Sequence, residues 1–194
     1  MTSDDPTVAD VQDSPTVPGV EAAQRGLRLL ELVREVERYV AQDGWDQNPR
    51  LFALARTAEL VALEPELAET LGTEHAPDDM TPIEQELVDR DQPLDELLAT
   101  TQWPDDVAGA ALALERLVLP PAAEEALPDD DLEALEQAAA THPERQDVRM
   151  VVVVTRDGGR MCALRLRSHD QDDQVLVGEE LVPRLADALR ATFV

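Results

Sequence analysis

The side chains that most often carry catalysis or metal binding are scarce in this chain and lie far apart. The three histidines, His75, His142 and His169, fall in three separate polar segments, without the close spacing of a metal-binding pair. An acidic loop follows His169, but it lacks the glycine and the terminal glutamate of a calcium-binding loop. The only cysteine, Cys162, alternates in phase with leucines, which predicts a buried, unreactive thiol with a raised pKa. We therefore expect no metal and no cofactor.

Motifs for nucleophilic catalysis and phosphate binding are also missing. The chain contains no G-x-S-x-G, no S-x-x-K, no P-loop and no G-x-G-x-x-G. With 42 acidic residues, pairs of carboxylates are too frequent to indicate a catalytic acid and base. The sequence therefore predicts a protein that is not an enzyme.

One segment stands out because it is rich in arginine. Residues 144–167 contain six arginines and three acidic residues, in a chain whose net charge is −26. Arginine presents a planar fork that fits carboxylate and phosphate groups. Either these arginines pair with the chain's own acidic segments, such as residues 73–96 or the N-terminal tail, or they receive an acidic peptide or an anionic small ligand. The candidate residues for such a face are Arg149, Arg156, Arg160, Arg165 and Arg167.

The two tryptophans, Trp45 and Trp103, each lead into an acidic turn that contains a proline. In one interpretation both rings anchor these turns against the edge of the core, and each indole N–H donates to a backbone carbonyl. In the other, a tryptophan faces solvent and forms the centre of a contact with a partner protein.

The overall charge limits the partners of this protein. A net charge of −26, with no lysine at all, repels nucleic acid and anionic lipid unless a basic face compensates. The apolar runs are far shorter than the roughly 17–25 residues of a membrane helix, and residues 1–20 show no secretory signal. We expect a cytoplasmic protein that inserts into no membrane, binds no nucleic acid and contacts another protein.

The N-terminal half contains a predicted tail, one clear helix and several ambiguous segments. Residues 1–19 predict a disordered acidic tail, and Val20 to Gln42 have the apolar spacing of a helix. Residues 51–63 fit either one helix or a short strand followed by a helix. Residues 73–96 predict an acidic, proline-rich insert with one short helix after Pro82.

The second half of the chain predicts mostly strands. Residues 105–119 fit a helix or a strand; Gly109 and the following LVLPP favour the strand. A short helix is predicted for residues 129–141. Two strands, Val148 to Thr155 and Met161 to Ser168, flank an Asp157-Gly158 turn, and a third short strand and a closing helix from Leu181 follow. These elements predict one α+β domain over residues 20–194, an antiparallel β-meander with helices packed on one face.

Several strings in the chain resemble a family of uncharacterised actinobacterial proteins. They are GWDQNPRLFALARTAEL, TPIEQE, WPDDVAGAALALERLVLPP, HPERQDVRMVVVVTRDG and CALRLRSHD, and the resemblance covers residues 27–194. It favours a strand at residues 51–55 and a helix from Ala58, and it implies no activity, cofactor or catalytic residue. Our first hypothesis for the function is therefore a non-catalytic protein-interaction module, such as an adaptor, regulator or chaperone-like protein. The second is a small-ligand binding protein or an unrecognised enzyme, with a pocket between the sheet and its helices.

Overall fold

The structure is a computed structural model, and it describes residues 18–71, 75–87, 92–119, 142–143 and 145–193. The strands are β1 (Arg50–Arg56), β2 (Met80–Glu84), β3 (Val107–Val118), β4 (Gln146–Thr155), β5 (Arg160–Leu166) and β6 (Leu176–Gly178). The α-helices are α1 (Pro18–Ala41), α2 (Thr57–Leu63), α3 (Ala68–Leu71), α4 (Leu94–Thr100) and α5 (Pro183–Arg190). The predicted α+β class is confirmed.

The strands form one antiparallel sheet in the order β2-β1-β3-β4-β5-β6. Strands β3 to β6 follow one another as a meander, whereas β1 lies on the other side of β3 and β2 forms the edge beyond it. The predicted turn between β4 and β5 contains Gly158, whose φ of 97° favours glycine. Because neighbouring strands run in opposite directions, the end of β1 lies beside the starts of β2 and β3.

The helices cover both faces of the sheet. One face packs under α1; its buried strand residues are Phe52, Leu54, Ala111, Ala113, Val151, Val153, Met161 and Ala163. We call it the α1 face. The second face packs under α5, and its buried strand residues are Leu51, Ala110, Leu112, Leu114, Val152, Val154 and Cys162. The expected packing of helices on one face therefore differs from the structure. The continuous apolar runs in β3 and β4 are the reason, since a strand without alternation must be buried on both sides.

Helix α1 ends where the chain turns back over the sheet. Its buried stripe consists of Leu29, Leu32, Val33, Val36, Glu37 and Val40. After Ala41 the chain reaches Gly44, whose φ is 79°. The side-chain amide of Gln47 donates to the backbone oxygens of Val40 and Gly44, at 2.9 and 2.6 Å. This turn directs Trp45 towards the α1 face.

The two ambiguous segments form strands. Residues 50–56 form β1 and α2 follows at once, so the preferred interpretation of residues 51–63 is confirmed. Residues 107–118 form β3, which confirms the preferred strand there. At Gly109, β3 lies so close to β4 that a Cβ would come 2.6 Å from the Val154 carbonyl oxygen, so a glycine is needed there.

Within residues 73–96 the structure differs from the prediction. The segment around Pro82 is strand β2, paired with β1, and not the short helix that was expected. A proline is tolerated there because β2 is an edge strand, where a missing N–H need not be paired. The helix of the region, α4, begins later, at Leu94. The helix predicted for residues 129–141, and residues 1–17 of the predicted tail, lie outside the described residues.

Candidate functional site

Three of the five predicted arginines lie around Trp45 at one end of the sheet. Strand pairing places Glu115 of β3 beside Arg149 of β4, and Arg149 beside Arg165 of β5. All three side chains point to the α1 face, where the last turns of α1 cover them. We call the group consisting of Glu37, Trp45, Arg149, Arg165 and Arg167 the Trp45 cluster.

Arg165 is buried in an ion pair with helix α1. Its side chain is only 3% exposed, as is that of Glu37. Its Nε donates to Glu37 Oε1 at 2.6 Å and its Nη2 donates to Glu37 Oε2 at 2.7 Å. The Glu37 carboxylate raises the pKa of Arg165, and two carboxylates from the following loop, Asp170 and Asp172, accept further bonds. A pair this deeply buried binds helix to sheet and leaves no fork free for a ligand.

Arg149 is buried beside it and is equally occupied. Its side chain is 1% exposed. Its Nη2 donates to Glu115 Oε1 at 2.8 Å and also to the backbone oxygen of Gly44. The guanidinium carbon lies 4.4 Å from the centroid of the Trp45 ring, in cation–π geometry. The ring thus closes the cluster from the solvent side, and its Nε1 donates to Asp170 at 2.9 Å.

Arg167 is the exposed member of the cluster. Its side chain is 42% exposed and forms a two-fold contact with Asp46, both hydrogen bonds being 2.8 Å long. The Arg167 guanidinium lowers the pKa of Asp46, and Asp46 raises the pKa of Arg167. Of the three arginines in the cluster, Arg167 is the one that a partner could reach.

The other two predicted arginines and Trp103 lie at different places. The Arg156 guanidinium donates to the backbone oxygens of Trp103, Pro104 and Val107, and it lies 4.7 Å from the Phe193 ring centroid. Arg160 pairs with Glu180 and, at 3.6 Å, with Asp187 of α5. The Trp103 ring stacks on Phe193, and its Nε1 donates to the Thr192 hydroxyl at 2.8 Å. The five arginines therefore do not form one continuous face.

Glu37 is the one residue of this cluster that the sequence patterns did not single out. It lies one residue after Val36 and three before Val40, on the stripe by which α1 contacts the sheet. A carboxylate on the apolar stripe of a helix requires a buried cationic partner. That requirement, set beside the inward-facing arginines of β4 and β5, was the signal available in the sequence.

Other chemistry is limited in the described residues. Cys162 is fully buried on the second face, and burial raises the pKa of its thiol as predicted. Within the described ranges, no group of three or more His, Cys, Asp or Glu side chains is arranged to hold a metal ion. None of the described helices combines the length and apolar character needed to cross a membrane.

A cavity of about 190 Å³ lies at the opposite end of the sheet, beneath the first half of α1. Its apolar floor consists of Leu29, Met80 and Ala108. Its rim carries four arginines and five carboxylates: Arg25, Arg28, Arg56, Arg156, Glu59, Asp78, Asp105, Asp106 and Asp157. We call this region the cavity end.

The connection between β1 and β2, residues 57–79, leaves the sheet at the same end. The two ends of this connection are joined at Thr57. Its N–H donates to the Asp79 backbone oxygen at 2.9 Å, and its hydroxyl lies 3.0 Å from that of Thr81. After Thr57, residues 58–71 contain no buried side chain, and Leu63 is 79% exposed. Helices α2 and α3 contact each other through the short turn between them, and α2 contacts β1.

Comparison with known proteins yields one match. The model of a family described as PPA1309-like protein matches residues 29–194. No curated protein and no solved structure matches the chain. Since the family model covers most of the chain, the predicted resemblance to an uncharacterised family is confirmed, and this protein belongs to the PPA1309-like protein family.

Proposed function

We propose that this protein is a non-catalytic protein-interaction module and that helices α2 and α3 form its contact surface. The observation that carries the proposal is Leu63, whose side chain is 79% exposed, more than any other large apolar side chain among the described residues. It belongs to a helical segment with no buried side chain of its own beyond Thr57.

The length of the connection supports a role outside the fold. Two neighbouring antiparallel strands need a loop of only about two to five residues, yet residues 57–79 separate β1 from β2. A long connection that carries helices and an exposed leucine is typical of a functional element, because the sheet does not need it.

The shortness of the helices points the same way. Helix α2 spans Thr57–Leu63 and α3 spans Ala68–Leu71, and isolated helices shorter than about 12–15 residues are marginal in water. Such helices gain their stability from packing an apolar face. Here Leu60, Val61, Leu67 and Leu71 are only half-buried, so a docking partner would complete the packing.

Charge specifies the kind of partner. Residues 57–71 contain four glutamates and no basic residue, in a chain of net charge −26. A second copy of the chain would be repelled, whereas a segment with leucines on one side and lysines or arginines on the other would be attracted. We therefore propose a basic, amphipathic segment of a different protein as the occupant.

The experiment compares two exposed leucines, one on helix α2 and one on the sheet. A photo-crosslinking amino acid replaces Leu63 or, as the matched control, Leu176 on edge strand β6, which is 57% exposed. Photochemistry is required because the chain has no lysine for amine-reactive reagents. We expect cross-links from position 63 to a basic, leucine-containing segment, and loss of that partner in Leu63→Asp but not in Leu176→Asp.

Two results would oppose the proposal. If the probe at position 176 cross-links the partner with the same yield as the probe at position 63, the contact surface is not specific to α2 and α3. A partner segment that is acidic or lacks apolar residues would remove the assignment of partner chemistry.

Small-ligand binding is the second candidate function, and the cavity between α1 and the sheet favours it. At about 190 Å³ the cavity is smaller than the roughly 300–1,000 Å³ of pockets for drug-sized ligands, so only a smaller molecule would fit.

A further inference from the structure

We propose that the cavity at the cavity end binds a small zwitterion with an apolar side chain, such as a free α-amino acid. This inference concerns the cavity, which shares only Glu59 with α2 and does not include Leu63, and it rests on the second candidate function. It follows from three features of the lining: arginines with only long ion pairs, carboxylates without a partner among the described residues, and an apolar floor.

Two of the four arginines on the rim are committed to the protein itself. Arg28 pairs with Asp78 and, at 3.5 Å, with Asp79. Arg156 donates to three backbone oxygens through its Nε and Nη2 atoms. These two side chains shape the cavity, and their hydrogen-bonding groups are largely used.

The other two arginines contact carboxylates only at long ion-pair distances. Arg25 lies 3.6 Å from Asp157, and Arg56 lies 3.7 Å from Glu59. Neither distance is that of a hydrogen bond, and both guanidinium groups are about half exposed. Arg56 also donates to the Pro77 oxygen at 3.1 Å, which positions its fork. A ligand carboxylate could therefore take up charge-assisted hydrogen bonds that the protein leaves unmade.

Carboxylates that could accept hydrogen bonds from a ligand lie on the same rim. Asp105 and Asp106, in the turn that leads into β3, form no ion pair or side-chain hydrogen bond within the described part of the chain. The Thr155 hydroxyl and, more weakly, Arg25 lower the pKa of Asp157, a third carboxylate of the rim. An ammonium group would find its acceptors here.

The balance of charge selects the class of ligand. The rim carries four arginines and five carboxylates, so a simple anion meets more repulsion than attraction, and a simple cation leaves the loosely paired arginines unused. A molecule with both charges satisfies both groups, and its side chain can lie on Leu29, Met80 and Ala108.

The experiment titrates the full chain with L-leucine and with L-phenylalanine, monitored by two-dimensional amide NMR. Leucinamide and N-acetyl-leucine serve as probes that each lack one of the two charges. We expect saturable shifts at residues of the rim in the millimolar range or below, and binding at least about tenfold weaker for each singly charged probe, a loss equal to one charge-assisted hydrogen bond.

Matched variants separate the site from general effects. Arg56→Gln and the pair Asp105→Asn with Asp106→Asn should each weaken binding by about tenfold or more. Arg116→Gln and Asp173→Asn, at exposed residues away from the cavity, should leave it unchanged. The proposal is overturned if no saturable shift appears, if the singly charged probes bind as well as the amino acids, or if the rim variants bind normally. Because Leu63→Asp should leave amino-acid binding intact, failure here is distinguishable from failure of the proposed protein contact.

Discussion

The two ends of the sheet use the same residue types in opposite ways. At the Trp45 end, Arg149 and Arg165 are buried and each is bound by hydrogen bonds to a carboxylate of another element. At the cavity end, Arg25 and Arg56 are half exposed and reach their carboxylates only at 3.6–3.7 Å. The local abundance of arginine is therefore a poor guide to function, whereas the completeness of its pairing separates structural arginines from available ones.

This contrast revises the interpretation of the arginine-rich segment. Residues 144–167 supply the buried cations that fasten α1 and the loop after β5 to the sheet. The carboxylates that pair with them include Glu37 and Glu115, which lie outside the acidic insert and the N-terminal tail. The contact of Arg167 with a partner, expected from the sequence, stays a prediction.

Breaking the buried pair at the Trp45 end should have the largest effect. Glu37→Ala leaves Arg165 buried with only its exposed partners, so we expect the free energy of unfolding to fall by about 3 kcal/mol or more. Urea denaturation measures this. The double variant Glu37→Leu with Arg165→Met removes both charges and should recover most of the loss. A loss below about 1 kcal/mol in the single variant would contradict the structural role.

Removing the ring that covers the cluster should have a smaller effect. Trp45→Leu loses the cation–π contact with Arg149 and the hydrogen bond to Asp170, which together predict a loss of about 2 kcal/mol in urea denaturation. Trp45→Phe keeps an aromatic face over Arg149 and should lose about half as much. Equal losses in the two variants would show that the aromatic face over Arg149 contributes nothing measurable to stability.

Acid should weaken the Trp45 end through Asp170. The hydrogen bond from Trp45, together with Arg165, lowers the pKa of Asp170 in the folded protein. A carboxyl with a lowered folded pKa stabilises the fold above its unfolded pKa of about 3.9, and this contribution is lost as the pH falls through the folded pKa. Because Asp170 is about half exposed, we expect no more than about 1 kcal/mol. Denaturation midpoints measured below about pH 4 should change less with pH in Asp170→Asn than in the unaltered chain or in Asp173→Asn. If the midpoints of all three proteins change equally with pH, Asp170 does not contribute to acid sensitivity.

The smallest effects are expected at the cavity end. Arg25→Gln breaks only a long, exposed ion pair, so the free energy of unfolding should change by no more than about 0.5 kcal/mol. Arg56→Gln also removes the exposed hydrogen bond to the Pro77 oxygen, so its change should stay below about 1 kcal/mol. Thermal and urea denaturation both report this. A loss above about 1 kcal/mol in either variant would show that the two ends are less different than the ion-pair geometry indicates.

Much of the fold could be predicted from the sequence because local patterns dominate it. The apolar spacing of α1, the β-branched run of β4 and the Asp157-Gly158 turn each specify their element without distant contacts. Strand β2 could not be found this way, because Pro82 speaks against a strand unless the strand is known to lie at an edge. The unbroken apolar runs of β3 and β4 indicate coverage of both sheet faces, but local patterns do not say which helix covers each face.

The site was less predictable because it depends on long-range pairing. Glu37 and Arg165 are far apart in the chain, and only the register of β4 and β5 under α1 brings them together. The cavity end assembles residues from α1, β1, the turn before β3 and the turn after β4. No local pattern connects these segments, so only the folded structure identifies them as one surface.

The account is tested most directly by measuring, by calorimetry, how two variants bind the partner segment identified by cross-linking at position 63. Leu63→Asp alters the exposed connection, and Arg167→Glu alters the exposed arginine of the Trp45 cluster. We predict that Leu63→Asp abolishes measurable binding while Arg167→Glu leaves the dissociation constant unchanged within about twofold. Retained binding in Leu63→Asp, together with loss in Arg167→Glu, would contradict the account and return the contact to the Trp45 end.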